Sequence, residues 1–194
     1  MSYKVVVMLS GNGSNLQAMI DSIKEQQWDI NITAVISDKP DAFGLQRAQQ
    51  AGITTHAISP KSFDSKPQFN QALMDCIDSY QPDLIVLAGY MRILPSSFVN
   101  HYPNKIINIH PSLLPKYKGL DTHQRVLDAG ETEHGTSIHI VTADLDDGPI
   151  LAQAKLPIEA HDDASALKSK VQKLEHQLYP QTLQAIATGK IVLA

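Results

Sequence analysis

Asn108 and His110 stand two residues apart in the stretch NIHPSLLPKYKG, which runs from Asn108 to Gly119. In an extended strand, residues two apart face the same side, so these two side chains should project together. A side-chain amide can donate to an oxygen that gains negative charge, and an imidazole can move a proton near neutral pH. Pro111 and Pro115 follow at once. Each fixes its own φ and restricts the residue before it, so the loop is stiff and can hold a reactive pair in place. Taken alone, His110 could equally be a residue that only finishes a strand.

A catalytic imidazole usually has an acid to orient it. The segment GTSIHIVTADLDDGPI offers Asp144, Asp146 and Asp147 in a turn between two strand-like runs. Clustered acids in a turn are often only solvated turn formers. Gly148-Pro149 would tighten this turn and could push one carboxylate inward. His139 alternates with Ile138 and Ile140 and reads as structural.

SGNGSN, Ser10 to Asn15, lies between an apolar β-branched run and a helical pattern. Glycines allow close approach of an anion, and the first turn of a helix has free N–H groups. Ser14 and Asn15 add donors or caps. Phosphate binding is the favoured reading, a tight strand-to-helix turn the other. The stretch is neither a complete G-x-G-x-x-G nor a P-loop, since Leu16 stands where a third glycine is needed and no Gly-Lys-Ser/Thr follows. Asp38 lies near the distance expected of a ribose-binding acid, but without the third glycine a dinucleotide site is disfavoured.

Other chemistries fit less well. The eight histidines form no H-E-x-x-H or H-x-E, and Cys76 has no cysteine partner, so no metal is expected. There is no G-x-S-x-G for a serine hydrolase. Leu73, Cys76, Ile77 and Tyr80 share helical spacing, so Cys76 reads as a buried core thiol. The 194 residues are 43% hydrophobic and 19% charged, with a formal net charge of −4. That suits one globular domain, 1–194, and lowers the expectation of nucleic-acid binding. A lone cysteine fits a reducing compartment. No apolar run reaches the roughly 20 residues of a membrane span, and no signal segment is expected, so the reading is cytoplasmic.

The elements that would position these residues alternate. Strand patterns lie at Lys4 to Leu9, Ile32 to Ser37, Asp83 to Tyr90 and Lys105 to His110, with a weaker one at TTHAIS. Helical patterns lie after the glycine turn, at GLQRAQQAG and at FNQALMDCIDSY. This alternation predicts an α/β fold, a Rossmann-like, mostly parallel sheet with helices on both faces. TSIHIVT and GPILAQAKLPI predict antiparallel strands toward the C-terminal part. A helix is expected from about Ala164 to Gly189, kinked or split at Pro180.

In order and spacing, SGNGSN, LAGYMRIL, NIHPSLLPKYKG, HGTSIHIVTADLDDGPIL and VQKLEHQLYP resemble the folate-dependent formyltransferases. Within them, the chain is most similar to those that act on phosphoribosylglycinamide. The resemblance runs from residue 4 to about 190. It implies transfer of a formyl group from 10-formyltetrahydrofolate to the substrate amine, with Asn108, His110 and Asp146 catalytic. Asp146 would favour the protonated imidazole by its charge. The resemblance further implies that Gly13, Ser14 and Asn15 hold the substrate phosphate. Lys66 would lie near the substrate where relatives often have Arg, and Gln172 and Glu175 would contact the ribonucleotide. The folate would lie against Met91, Arg92, Ile93 and Leu94 and along Thr142, Ala143, Asp144 and Leu145. Asp147 stands where many relatives have Gly, and Asp121 where some have His. The partners implied are small molecules, with no nucleic acid and no membrane, in a monomer or homodimer. The rivals are a formyltetrahydrofolate hydrolase, expected to carry a further N-terminal domain, and a non-catalytic nucleotide or folate binder. A tRNA-directed formyltransferase would need a C-terminal RNA-binding domain.

Overall fold

The computed structural model describes residues 2–194, which form two compact units whose boundary falls between Ile107 and Asn108. The first unit contains β1 (Tyr3–Leu9), α1 (Ser14–Glu25), β2 (Ile30–Ser37), α2 (Phe43–Gln50), β3 (Thr55–Ala57), α3 (Lys66–Tyr80), β4 (Leu84–Leu87) and α4 (Ser96–His101). Its strands pair in the order β3-β2-β1-β4 and are parallel throughout. Val7 lies opposite both Val35 and Val86, and Val5 to Leu9 are fully buried. Such apolar runs belong where helices cover both faces of a parallel sheet. β5 (Ile106–His110) begins at the edge of this unit, where the Ile85 N–H donates to the Lys105 carbonyl at 2.8 Å.

Local signals set the helix ends. Ser65 caps α3 by accepting the Gln68 N–H, Pro67 occupies its first turn, and Gln81 takes a left-handed φ of 47° before Pro82 ends it. The start of α1 is different: Gly13 is its N-cap, at φ 75°, and no side chain caps the helix. A Cβ on Gly13 would lie 2.5 Å from the Gly44 Cα, so this glycine also lets the turn pack against the start of α2. The sequence pattern did not reveal α4, only six residues long and opened by Pro95.

The second unit holds the end of β5, α5 (Thr122–Asp128), β6 (Glu133–Ile140), β7 (Ile150–Pro157) and α6 (Ala164–Ala187). β6 and β7 are antiparallel, with Thr136 opposite Ala154. Gly135 has no alternative, because a Cβ there would meet the Ala154 carbonyl at 2.0 Å. α6 opens at Asp163, which accepts the Ala166 N–H at 2.7 Å. Pro180 lies inside α6 and does not split it. Proline removes one helical hydrogen bond, while buried Leu167, Val171, Tyr179, Leu183 and Ile186 anchor the helix on both sides of the gap. The α/β reading therefore holds, with parallel strands followed by an antiparallel pair. Cys76 departs from its reading: it is half-buried on α3, not a core thiol, though burial still raises its pKa.

Candidate active site

In the second unit, Asn108 and His110 leave the end of β5 on the same side, as their spacing requires. The loop beyond them is held by more than its prolines. Ser137 donates to the Ser112 carbonyl at 2.7 Å and accepts the Leu114 N–H at 3.0 Å. The Gln153 amide donates to the Leu114 carbonyl at 2.9 Å. Thr136 donates to the His110 carbonyl at 2.9 Å, and the buried Glu175 carboxylate lies 3.5 Å from the same hydroxyl. Two side-chain hydroxyls of β6 and one amide of β7 thus brace the backbone that carries the imidazole and its loop.

Asp146 arrives from the connection between β6 and β7, at a left-handed φ of 50°. Only Gly fits at 148, two residues on, where a Cβ would meet the Ile140 carbonyl at 1.7 Å. The Asp146 side chain is 9% exposed, with Oδ2 3.3 Å from His110 Nδ1. The Gly119 N–H donates to that same Oδ2 at 2.9 Å. The other nitrogen of His110, Nε2, lies 2.9 Å from the Tyr117 carbonyl. Both ring nitrogens therefore face oxygen acceptors, and a doubly protonated ring would donate to both. A backbone strained at a non-glycine residue is typical of functional turns.

His139 joins this group, although its alternation with isoleucines read as structural. It is 2% exposed, and its Nδ1 lies 2.9 Å from the Ile140 carbonyl. Burial lowers its pKa, against a smaller upward pull from that carbonyl and from Asp146. The neutral ring then keeps its proton on Nδ1 and presents a lone pair at Nε2. The Asn108 amide nitrogen is 3.3 Å from that Nε2 and donates to it. This fixes which way the amide points and leaves its second N–H and its oxygen for another partner. His139 Nε2 is also 3.7 Å from Asp146 Oδ1, but a neutral ring with its proton on Nδ1 makes no ion pair there. A burial shift in β6 is the signal a sequence pattern could have carried: Gly, Thr, Ser and His in an otherwise buried strand need partners.

The remaining residues singled out from sequence fall in several places. Gln172 is exposed on α6, and Ala143, Asp144 and Leu145 are exposed on the turn that ends at Asp146, with Thr142 donating to the Asp144 carbonyl at 3.3 Å. Asp147 pairs with Lys118. In the first unit, Gly13, Ser14 and Asn15 form the uncapped start of α1, a place where backbone N–H groups can meet an anion. Lys66 is exposed at the start of α3. Met91 and Ile93 are exposed, Arg92 is half-buried and Leu94 belongs to the core. Among the described residues, Glu159, His161 and Asp162 lie close enough to share a metal ion. The ammonium of Lys170 already sits 3.0 Å and 2.8 Å from the Glu159 and Asp162 carboxylates.

Residues 3–183 match a family model described as formyl transferase. The chain is 50% identical over 187 residues to the phosphoribosylglycinamide formyltransferase of Escherichia coli (strain K12), covering 96% of this chain and 88% of that protein. It is 38% identical over 183 residues to the protein of the same name from Bacillus subtilis (strain 168), covering 94% of each. Among solved structures, it is similar to the phosphoribosylglycinamide formyltransferase from Coxiella burnetii in complex with CHES, with a TM-score of 0.93 and 53% identity. That match covers 97% of this chain and 89% of the other.

Proposed function

We propose that this chain, which belongs to the formyl transferase family, transfers the formyl group of 10-formyltetrahydrofolate to the amine of 5'-phosphoribosylglycinamide. The products are the N-formylglycinamide ribonucleotide and tetrahydrofolate, a step of purine biosynthesis. The observation that carries the reading is the meeting of an amide, two imidazoles and a carboxylate in the second unit: Asn108, His139, His110 and Asp146. The amine lone pair attacks the formyl carbon, and the carbonyl π pair moves onto oxygen. The free N–H of Asn108 and the Nε2–H of His110 stabilise that oxyanion. For this, the His110 Nε2–H passes from the Tyr117 carbonyl, its present acceptor, to the substrate. Collapse re-forms the carbonyl and breaks the carbon–N10 bond, while the proton lost by the amine reaches N10 through the imidazole. Asp146 orients His110 and balances its positive charge. Holding both substrates in line supplies a further part of the rate, and no covalent enzyme intermediate is needed.

In this reading Gly13, Ser14 and Asn15 bind the phosphate, with Lys66 adding charge nearby as a single point rather than a bidentate fork. Gln172 and Glu175 contact the ribonucleotide, Glu175 at the ribose hydroxyls. The folate lies against Met91, Arg92, Ile93 and Leu94 and along Thr142, Ala143, Asp144 and Leu145. We take residues 1–194 as one functional formyltransferase domain, and the family match running continuously from residue 3 to 183 supports this. We assign the protein to the cytoplasm, which its single, unpaired cysteine fits. No helix among the described residues is long and apolar enough to cross a membrane.

The test is to mix the protein with glycinamide ribonucleotide and 10-formyltetrahydrofolate and follow the folate absorbance. A change that requires the ribonucleotide is the expected result. A change without it selects the hydrolase, and no change with either addition overturns formyl transfer.

A further inference from the structure

Met91 and Ile93 are 68% and 77% exposed, two large apolar side chains held out from one short segment in the first unit. Adjacent exposed apolar groups mark a contact surface, yet a loop must be held rigid to present them usefully. The holding groups lie underneath. The Ser10 N–H donates to the Gly89 carbonyl at 3.0 Å, and the Ser10 hydroxyl accepts the Met91 N–H at 2.9 Å. Ser10 therefore grips the segment at both ends of Tyr90, where Gly89 takes a left-handed φ of 78°. A hydroxyl that accepts on one side still has a proton to place, and here the Asp38 carboxylate takes it, at 2.6 Å. Asp38 is 6% exposed, with the Arg92 guanidinium 3.9 Å away and stacked over the Phe69 ring at 5.4 Å from its centre. Burial, with Asp38 adding to it, also pushes the Tyr90 hydroxyl well above its usual range.

We infer that Asp38 acts through Ser10 as a positioning residue that sets the backbone of Gly89 to Arg92 for the folate co-substrate. This rests on the assignment of that segment to the folate made above. A charge-assisted hydrogen bond fixes the rotor of the Ser10 hydroxyl, so its lone pair stays on the Met91 N–H. Without the acid, the hydroxyl is free to turn and the segment loses a fixed partner. A buried carboxylate is costly unless it is paired and hydrogen-bonded, and the Ser10 hydroxyl and the nearby Arg92 guanidinium supply those partners, tying the acid to this segment. The acid that resembled a ribose-binding residue in the sequence has this role instead.

The experiment compares wild type with Asp38→Ala, Ser10→Ala and Asp38→Asn in the full chain, measuring KM for each substrate, kcat and the thermal midpoint. Asp38→Ala and Ser10→Ala are expected to raise KM for 10-formyltetrahydrofolate about tenfold, the effect of one lost buried hydrogen bond. KM for the ribonucleotide stays within about twofold and kcat within about threefold, as for uniform binding lost at one substrate. Asp38→Asn keeps an acceptor oxygen for the Ser10 hydroxyl and should restore the folate KM to within about threefold of wild type. If both KM values rise together with a fall in midpoint, the role is structural and the inference fails. It also fails if Asp38→Asn is as impaired as Asp38→Ala, or if the folate KM does not move. Should Asp38→Ala not fold, Ser10→Ala decides alone. A wild type that transfers no formyl group overturns the proposed function, whereas an active wild type with unmoved variants overturns only this inference.

Discussion

β1 and β6 are both buried along almost their whole length, but they are made of different chemistry. β1 buries Val5, Val6, Val7, Met8 and Leu9, while β6 buries His134, Thr136, Ser137 and His139 alongside its two isoleucines. An apolar strand is held by non-directional burial, and any well-packed shape will do. A buried polar strand must match every donor and acceptor, so each partner dictates a position. Thr136 finds the His110 carbonyl, Ser137 finds Ser112 and Leu114, and His139 finds Asn108 and Ile140. The difference teaches that the first kind of strand sets stability and the second sets the geometry of a site.

Truncation separates the two roles. Ile85→Ala on the fully buried β4 should cost about 3 kcal/mol of stability through lost burial and a cavity, in denaturant unfolding. Turnover per folded molecule should stay within about twofold. A tenfold fall in kcat with little change in stability would erase the distinction. The reverse is expected of His110→Ala: kcat drops about 10²-fold or more, as for a general acid–base group, with a near-normal unfolding midpoint. Asp146→Asn should follow it in kind, and an unaltered pH–rate profile with retained activity would reduce Asp146 to a turn former.

His139→Ala should lower kcat about tenfold, because Asn108 loses the partner that orients its amide. The discriminating sign is that combining it with Asn108→Ala adds little, a non-additivity expected of residues acting as a unit. Full additivity would mean that the two do not work together.

The second unit should also be the acid-sensitive one. Burial, with smaller contributions from His123 and His110, lowers His134 to about 4, and burial lowers its neighbour His123. His123 Nδ1 and His134 Nε2 are 2.9 Å apart, a contact that one proton satisfies and two would break. Below the unfolded value of about 6.5 the unfolded chain binds protons that the folded pair refuses. Stability is thus fully present above pH 6.5 and falls toward pH 4, by on the order of 1 kcal/mol at pH 5.5. Replacing both histidines with Gln should flatten that slope; an unchanged slope would place the acid sensitivity elsewhere. The smallest effect belongs to Lys118→Ala. Its partner Asp147 is more than half exposed, so the loss should stay below about 1 kcal/mol and fade with salt. A larger loss would mean the pair braces the loop over His110.

Much of the architecture was legible as local pattern. The β-branched runs of β1, β2, β4 and β5 and the capped or glycine-terminated helices α2 and α3 fell where periodicity put them. α4 and α5, six and seven residues long, are too short to show a helical period. Pro180 lies inside α6 without splitting it, because packing of residues on both sides carries the helix through. Of the site, Asn108 and His110 could be paired by strand spacing alone. That His139 belongs with them could not be read, since alternation gives a face of the strand and not what that face meets.

Residue type and order were enough to establish the alternation of strands and helices, the shared side of Asn108 and His110, and the stiff loop that follows. These depend on backbone sterics and short-range periodicity, which act within a few residues. Folding in three dimensions decided which of three clustered acids turned inward, that a histidine in β6 would orient an asparagine in β5, and that Asp38 would serve Ser10. Each of these is a contact between segments tens of residues apart, selected by the burial of polar groups that must find partners. No local pattern encodes it.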